Sequence, residues 1–183
     1  MERRWEIEES VFIEAAVEQA YAAVADVRSM GRWSPECRAV RGVPPGPVGV
    51  GARFLGFNRK GAFVWFTSCR VTGAEPGEVF AFRVSTFGLP VALWGYRFAA
   101  EAGGVRVTEF WQDLRTGRRG ALAALLGRLF TGTRPDRRHL ANRAGMRATL
   151  GRLKQALESR ENRENGENRE NQGNREVREN RGR

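Results

Sequence analysis

The chain is poor in the residues that build metal, redox and nucleophilic centres. It has one histidine, His139, and two cysteines, Cys37 and Cys69, set 32 positions apart, so no metal-ligand spacing is present. Two cysteines are also too few for a disulfide framework and point to free thiols in a cytoplasmic protein. No phosphate-binding loop, dinucleotide fingerprint or nucleophile elbow occurs, and no cofactor is expected. Long hydrophobic runs are missing as well. The best candidate, Ala121 to Phe130, is short and carries Arg128, well below the roughly 18 apolar residues of a membrane span. The first ten residues are charged and lack the apolar core of a signal peptide. Lysine is scarce: 2 against 29 arginines, which suggests a codon bias more than a chemical requirement.

What is present is enough for one globular domain and a tail. The 183 residues are 41% hydrophobic and 10% aromatic. The net charge of +10 is concentrated between Arg115 and Lys154, which hold eleven Lys or Arg and a single acid, Asp136. A surface of that kind would attract polyanions or an anionic membrane weakly and without sequence preference, so no specific nucleic acid is expected. The plainer alternative is an arginine-rich solvated helix face. Composition shifts abruptly near Ser159. Residues 159–183 are loose Glu-Asn-Arg repeats with seven Arg, six Glu and one apolar residue, Val177. Nothing there offsets the entropy of ordering, so a domain over residues 1–158 and a disordered tail over 159–183 are expected.

Hydrophobic periodicity supplies the elements. Trp5 to Ile13 alternates as a strand, with Trp5, Ile7, Val11 and Ile13 on one face. Val17 to Val27 has helical spacing, and a short element with Met30 and Trp33 follows, ended by Pro35. Strands are then expected over residues 37–43, 51–59, 63–73, 79–84, 91–99 and 105–114, separated by tight turn signals. Such close joins require antiparallel neighbours. Leu122 to Phe130 reads as a short amphipathic helix, broken at Gly132 to Pro135.

The last helix carries Met146, Leu150, Leu153 and Leu157 in one stripe, with His139 and Asn142 in the same stripe. Two polar groups on a packing face suggest a lined cavity. With the strand arginines 53, 70, 83, 97 and 106 pointing outward, period two turns the following residues inward: Phe54, Asn58, Trp65, Thr67, Cys69, Phe80 and Phe82, then Trp94, Tyr96, Phe98, Val105, Val107, Glu109 and Trp111. Glu109 is the informative member. A carboxylate on that face must be paired (Arg143 and Arg97 are in reach of the argument), protonated, or facing water in a cavity.

Five segments in order resemble one family: Met30-Gly-Arg-Trp-Ser-Pro-Glu36, Gly56-Phe-Asn-Arg-Lys-Gly61, Glu75-Pro-Gly77, Thr108-Glu-Phe-Trp-Gln-Asp113 and Gly145-Met-Arg-Ala-Thr-Leu-Gly-Arg-Leu-Lys154. They are similar to the START/Bet v 1-like (SRPBCC) superfamily, and within it to the bacterial polyketide cyclase/dehydrase-type branch, over roughly Arg3 to Leu157. The resemblance implies an α+β helix-grip fold, in which a curved, mostly antiparallel seven-stranded sheet grips a long C-terminal helix and two short helices close one end. It also implies a deep cavity for lipids, sterols, polyketides or other apolar molecules, as in lipid-transport members. It implies no single reaction and brings no shared catalytic signature.

Three functions remain open on the sequence. The first is binding of a hydrophobic small molecule against Trp33, Phe54, Asn58, Trp65, Phe82, Trp94, Tyr96, Phe98, Trp111, Asn142 and Met146. The second is cyclisation or dehydration in the same cavity, with Glu109 and His139 as acid and base. The third is an interaction protein using the basic face of the C-terminal helix. Core packing is the alternative for each aromatic singly, a backbone-satisfied imidazole for His139, and a loop or capping role for Asn58 and Asn142.

Overall fold

A computed structural model describes residues 6–117, 120–121 and 138–181, with side chains of the last helix as far as residue 163, residues 138 and 162 apart. Strand β1 (Glu6–Ile13) leads into helix α1 (Val17–Ala25), a 3-10 turn (Val27–Ser29) and helix α2 (Met30–Trp33). Six strands follow: β2 (Cys37–Arg41), β3 (Arg53–Lys60), β4 (Phe63–Glu75), β5 (Val79–Thr86), β6 (Leu89–Glu101) and β7 (Gly104–Asp113). Helix α3 (Arg138–Arg181) completes the described chain. The sheet runs β1-β7-β6-β5-β4-β3-β2 with every pair antiparallel, which is the helix-grip arrangement the resemblance implied.

The sheet curves because its ladders slip. Register shifts fall between Cys37 and Ala39, Val71 and Gly73, and Val84 and Ser85, and an extra residue on one strand sharpens its bend. The last of these absorbs Pro90, so β6 begins at Leu89, before the proline that the turn signals had placed outside the strand. The described short elements also tie the far edge down. The Asp26 carboxylate accepts from the Ser29 hydroxyl (2.8 Å) and the Gly46 amide (3.3 Å), fixing the proline-rich loop under α1.

The helix–sheet interface has two unlike halves. Leu150, Leu153 and Leu157 of α3 pack with Ile13, Phe80, Val105 and Val107 and with Ala20, Tyr21 and Val24 of α1, all buried. Tyr21 meets the rings of Phe98 and Phe80 edge-on at 5.5 and 6.4 Å. Nearer the start of α3, a small cluster of Ile7, Ala92, Trp111 and Met146 is the packed remainder. The space beside it is not filled.

Helix α3 continues as helical backbone to Arg181, through the segment whose composition predicted disorder. Extension from an already packed helix needs no new nucleus, and Glu and Arg are good helix formers, so this backbone is locally self-consistent. The helix expected over Leu122 to Phe130 and the break at Gly132 to Pro135 lie outside the described residues.

The β5–β6 turn contains the one non-glycine residue in left-handed conformation among the described residues, Phe87 (φ 50°), followed by Gly88 (φ 75°). Thr86 and Leu89 pair across it, so this is a two-residue hairpin with both central φ positive, where asparagine is favoured over a bulky aromatic. Phe87→Asn is therefore expected to raise stability by about 1 kcal/mol, read as a Tm increase of roughly 2–4 °C in a thermal melt. An unchanged or lower Tm would mean that the Phe87 ring contributes packing that outweighs the strain.

Candidate functional site

Between the sheet and the first turns of α3 lies a cavity of about 310 Å³, in the range of small-molecule sites. Helix α3 lines it with Ala141, Asn142, Gly145 and Thr149; the α2–β2 connection adds Met30, Ser34, Pro35, Glu36 and Cys37. The sheet supplies Phe54, Asn58, Trp65, Thr67 and Cys69 from β3 and β4, and Phe82, Trp94, Tyr96, Glu109 and Trp111 from β5 to β7. All these sheet residues are ones that alternation turned inward.

Two registered rows form the floor. Phe82, Trp94 and Trp111 stand side by side on β5, β6 and β7. In the next row Tyr96 is opposite Glu109, and Glu109 is opposite Glu9 of β1. Glu109 is 3% exposed; its Oε1 accepts a 3.0 Å bond from the Tyr96 hydroxyl, while its Oε2 has no partner. Burial raises the Glu109 carboxyl to about 8, against a smaller opposing pull from the tyrosine hydrogen bond. The Tyr96 hydroxyl is itself held well above its usual range, by burial first and by Glu109 second, so it remains a donor.

Among the described residues no arginine pairs with Glu109. Arg143 lies 2.9 Å from Glu9, Arg147 lies 2.9 Å from the same carboxylate, and Arg97 pairs with Glu8. Glu9 shares the inward parity of Ile7 and Ile13, and thus takes the helix cations that Glu109 would otherwise have met. Near pH 7 the cavity floor accordingly presents a neutral carboxylic acid, able to donate through Oε2.

The other polar groups are largely committed. Asn58 donates to the Gly56 carbonyl (3.2 Å). Asn142 is buried on the cavity side of α3. Arg115, which sequence reading grouped with the basic segment, lines the cavity and grips Asp113 through two bonds of 2.9 and 2.8 Å. Its one available signal was the Asp-x-Arg spacing at the end of β7. Cys37 and Cys69 also line the wall; burial pushes their thiols up to about 11 and about 12, so both remain unreactive thiols at neutral pH.

Four expected site residues do not line the cavity. Trp33 packs against the main core and donates from Nε1 to the Ala23 carbonyl at 3.4 Å. Phe98 lies one row beyond Tyr96, against Tyr21. Met146 is fully buried in the small cluster. His139 is half-buried at the start of α3 and is absent from the lining. At about 100° per residue, the lining residues of α3 centre roughly 95° to one side of the Met146–Leu157 seam, whereas His139 falls on the seam itself, at the angle of Leu157. The stripe is wide enough to hold both, and only one edge of it faces the void.

Several cations of α3 have partners within the fold. Besides Arg143 and Arg147, Arg152 donates to the Trp33 carbonyl (3.2 Å) and Lys154 bonds Glu158 (2.6 Å) and the Phe12 carbonyl (2.9 Å). No described helix is long and apolar enough to cross a membrane.

Residues 4–158 match the family model described as polyketide cyclase/dehydrase and lipid transport. No curated protein sequence matches. Among solved structures, a polyketide-cyclase-like protein of Corynebacterium glutamicum is 28% identical, with 86% of this chain and 94% of that one covered at a TM-score of 0.56. A Deinococcus radiodurans protein is 17% identical over 85% and 98% of the two chains, TM-score 0.57. The di-domain ARO/CYC protein StfQ of the steffimycin biosynthetic pathway is 16% identical at a TM-score of 0.63. The match covers 86% of this chain and 52% of StfQ, so this chain spans about half its length.

Proposed function

The chain belongs to the polyketide cyclase/dehydrase and lipid transport family, and on that premise we propose that its cavity holds an apolar small molecule with one carbonyl or hydroxyl group, seated against Glu109. The observation that carries this reading is the unpartnered Oε2 of Glu109, buried in a cavity walled by Trp65, Trp94 and Trp111. A buried polar atom without a partner costs roughly 1–3 kcal/mol, and a ligand oxygen offering an acceptor would recover it. Flat aromatic walls favour a planar or lipid-like body, and the acid selects its polar end.

Native mass spectrometry of the full chain followed by solvent extraction tests the proposal. The expected result is a co-purifying apolar compound bearing an oxygen function. It should be lost in Val84→Trp, which fills the cavity from β5, where Val84 lines the wall. A ligand-free mass, with no apolar carbonyl compound raising the Tm of the wild type more than that of Val84→Trp, would overturn it.

A catalytic reading is favoured by one feature: an acid raised to about 8 exchanges its proton near neutral pH. In that reading Glu109 exchanges the proton with the substrate through Oε2, and Tyr96 holds Glu109 in place through its bond to Oε1; His139 takes no part. Glu109→Gln then abolishes turnover, whereas in a carrier it only retunes affinity.

A further inference from the structure

The walls of the cavity do not end at a solvated polar rim. Three lining residues are also strongly exposed and therefore mark its mouth: Val64 (65%), Phe66 (44%) and Phe87 (63%). Phe66 and Phe87 touch edge-on at 5.7 Å, joining the β3–β4 hairpin to the β5–β6 turn. Phe57, registered with Phe66, and Phe63 at the hairpin tip extend the same exposed apolar surface. Phe87 holds this place in a left-handed conformation, where the turn itself would favour asparagine or glycine over a bulky aromatic.

The charge around this mouth is mainly positive, and the lining acid Glu36 is paired with Lys60 at 3.9 Å. From Cys37 to Ala74 there are six Lys or Arg and no acid, and from Val79 to Ala100 two Arg and no acid. Arg53, Arg70 and Arg83 stand in one registered row on the outer face of β3, β4 and β5, all exposed, with no ion pair among the described contacts. That row lies four residues up the strands from Phe57 and Phe66, or about 13 Å. Arg59 and Lys60 flank the tip itself. A cluster of acids, Glu6, Glu8 and Glu9, sits on β1 at the opposite edge of the sheet.

We propose that this mouth docks on an anionic lipid bilayer: Phe63, Val64, Phe66 and Phe87 enter the interface, and Arg53, Arg70 and Arg83 reach the phosphates, so that an apolar ligand passes between bilayer and cavity. The docking surface stands on its own observations; the passage of ligand rests on the function proposed above. Apolar side chains that enter an interface by about 5–10 Å place charges 13 Å higher beside the headgroups, within a Debye length of them. An acidic protein partner would match the arginines but leaves four exposed apolar side chains at the mouth without a role.

Flotation of the full chain with phosphatidylcholine vesicles, with and without phosphatidylglycerol, at low and high salt, tests the proposal. Binding is expected to the anionic vesicles and to weaken with salt. Replacing Arg53, Arg70 and Arg83 by Gln should weaken it roughly 100-fold, and Phe66→Ser with Phe87→Asn at least about tenfold while the fold survives by thermal melt. Val84→Trp, with its cavity filled, should float like the wild type, so loss of ligand binding and loss of docking read out separately. Three results would overturn the proposal: no flotation with either vesicle, flotation that the phenylalanine variant leaves unchanged, or a wild-type dimer that this variant converts to monomer.

Discussion

Glu109→Gln is expected to make the protein more stable above about pH 8, by on the order of 3–5 kcal/mol, and to leave it nearly unchanged near pH 5. The folded protein keeps the Glu109 proton to about pH 8, whereas the unfolded chain releases it near 4.5. Between those values the native state binds more protons than the unfolded one, so stability falls as pH rises through the window. Below it the neutral acid costs nothing extra; above it the charge is buried among apolar walls with one hydrogen bond. Glutamine keeps the shape and never ionises, so its slope from this site is zero. The groups facing Glu109 do not reverse the sign: Glu9 across the ladder is a like charge, Tyr96 donates one bond, and Arg143 is bound to Glu9.

Urea denaturation of both proteins at the two pH values measures the difference. Parallel stabilities would show that Glu109 is already ionised at pH 5 and would remove the neutral donor from the cavity floor. Tyr96→Phe provides the internal check. The Tyr96 bond favours the ionised carboxylate, so its loss should move the Glu109 titration still higher, as read by carboxyl NMR.

Gly104→Ala is expected to cost about 3–5 kcal/mol, with a large drop in denaturation midpoint. A Cβ on Gly104 would sit 2.1 Å from the Ile13 carbonyl oxygen, an overlap with backbone that no rotamer relieves. Ile13 and Val105 are the adjoining registered pair and both are fully buried in the main core. Moving either strand end opens that core and loosens β1, whose Glu9 anchors α3 through Arg143 and Arg147. Gly103 next to it has φ +80° with open space around its Cβ, so Gly103→Asn should cost little. Equal losses at the two positions would place the cost in turn conformation instead of strand contact.

Much of this architecture was legible along the chain. Trp94, Tyr96 and Phe98 on one strand and Val107, Glu109 and Trp111 on the next alternate with outward residues, and a side-chain period of two needs no tertiary information. The turn signals lay where strands now meet, save Pro90, which a bulge accommodates. Glu109 was conspicuous because a carboxylate on an apolar face has so few stable outcomes. Glu9 was not, since its inward parity sits inside a run of acids, Glu6, Glu8 and Glu9, that reads as a solvated strand. For the same reason the pairing of Arg143 and Arg147 with β1 was not legible.

Sequence by itself determined the order of strands and helices, the inward set of sheet residues and the oddity of Glu109, because each follows from a local period or a local charge. The helix-grip arrangement came from the family resemblance. Tertiary structure decided which inward residues border empty space and which are packed. Phe98 and Met146 are as inward as Tyr96, yet Tyr21 covers one and the Ile7–Trp111 cluster the other. It also decided that Glu9 takes Arg143 and Arg147 while Glu109 is buried beside the cavity, and that the void lies to one side of the helix seam on which His139 sits. Those outcomes depend on distances between segments far apart in the chain, which no periodicity encodes.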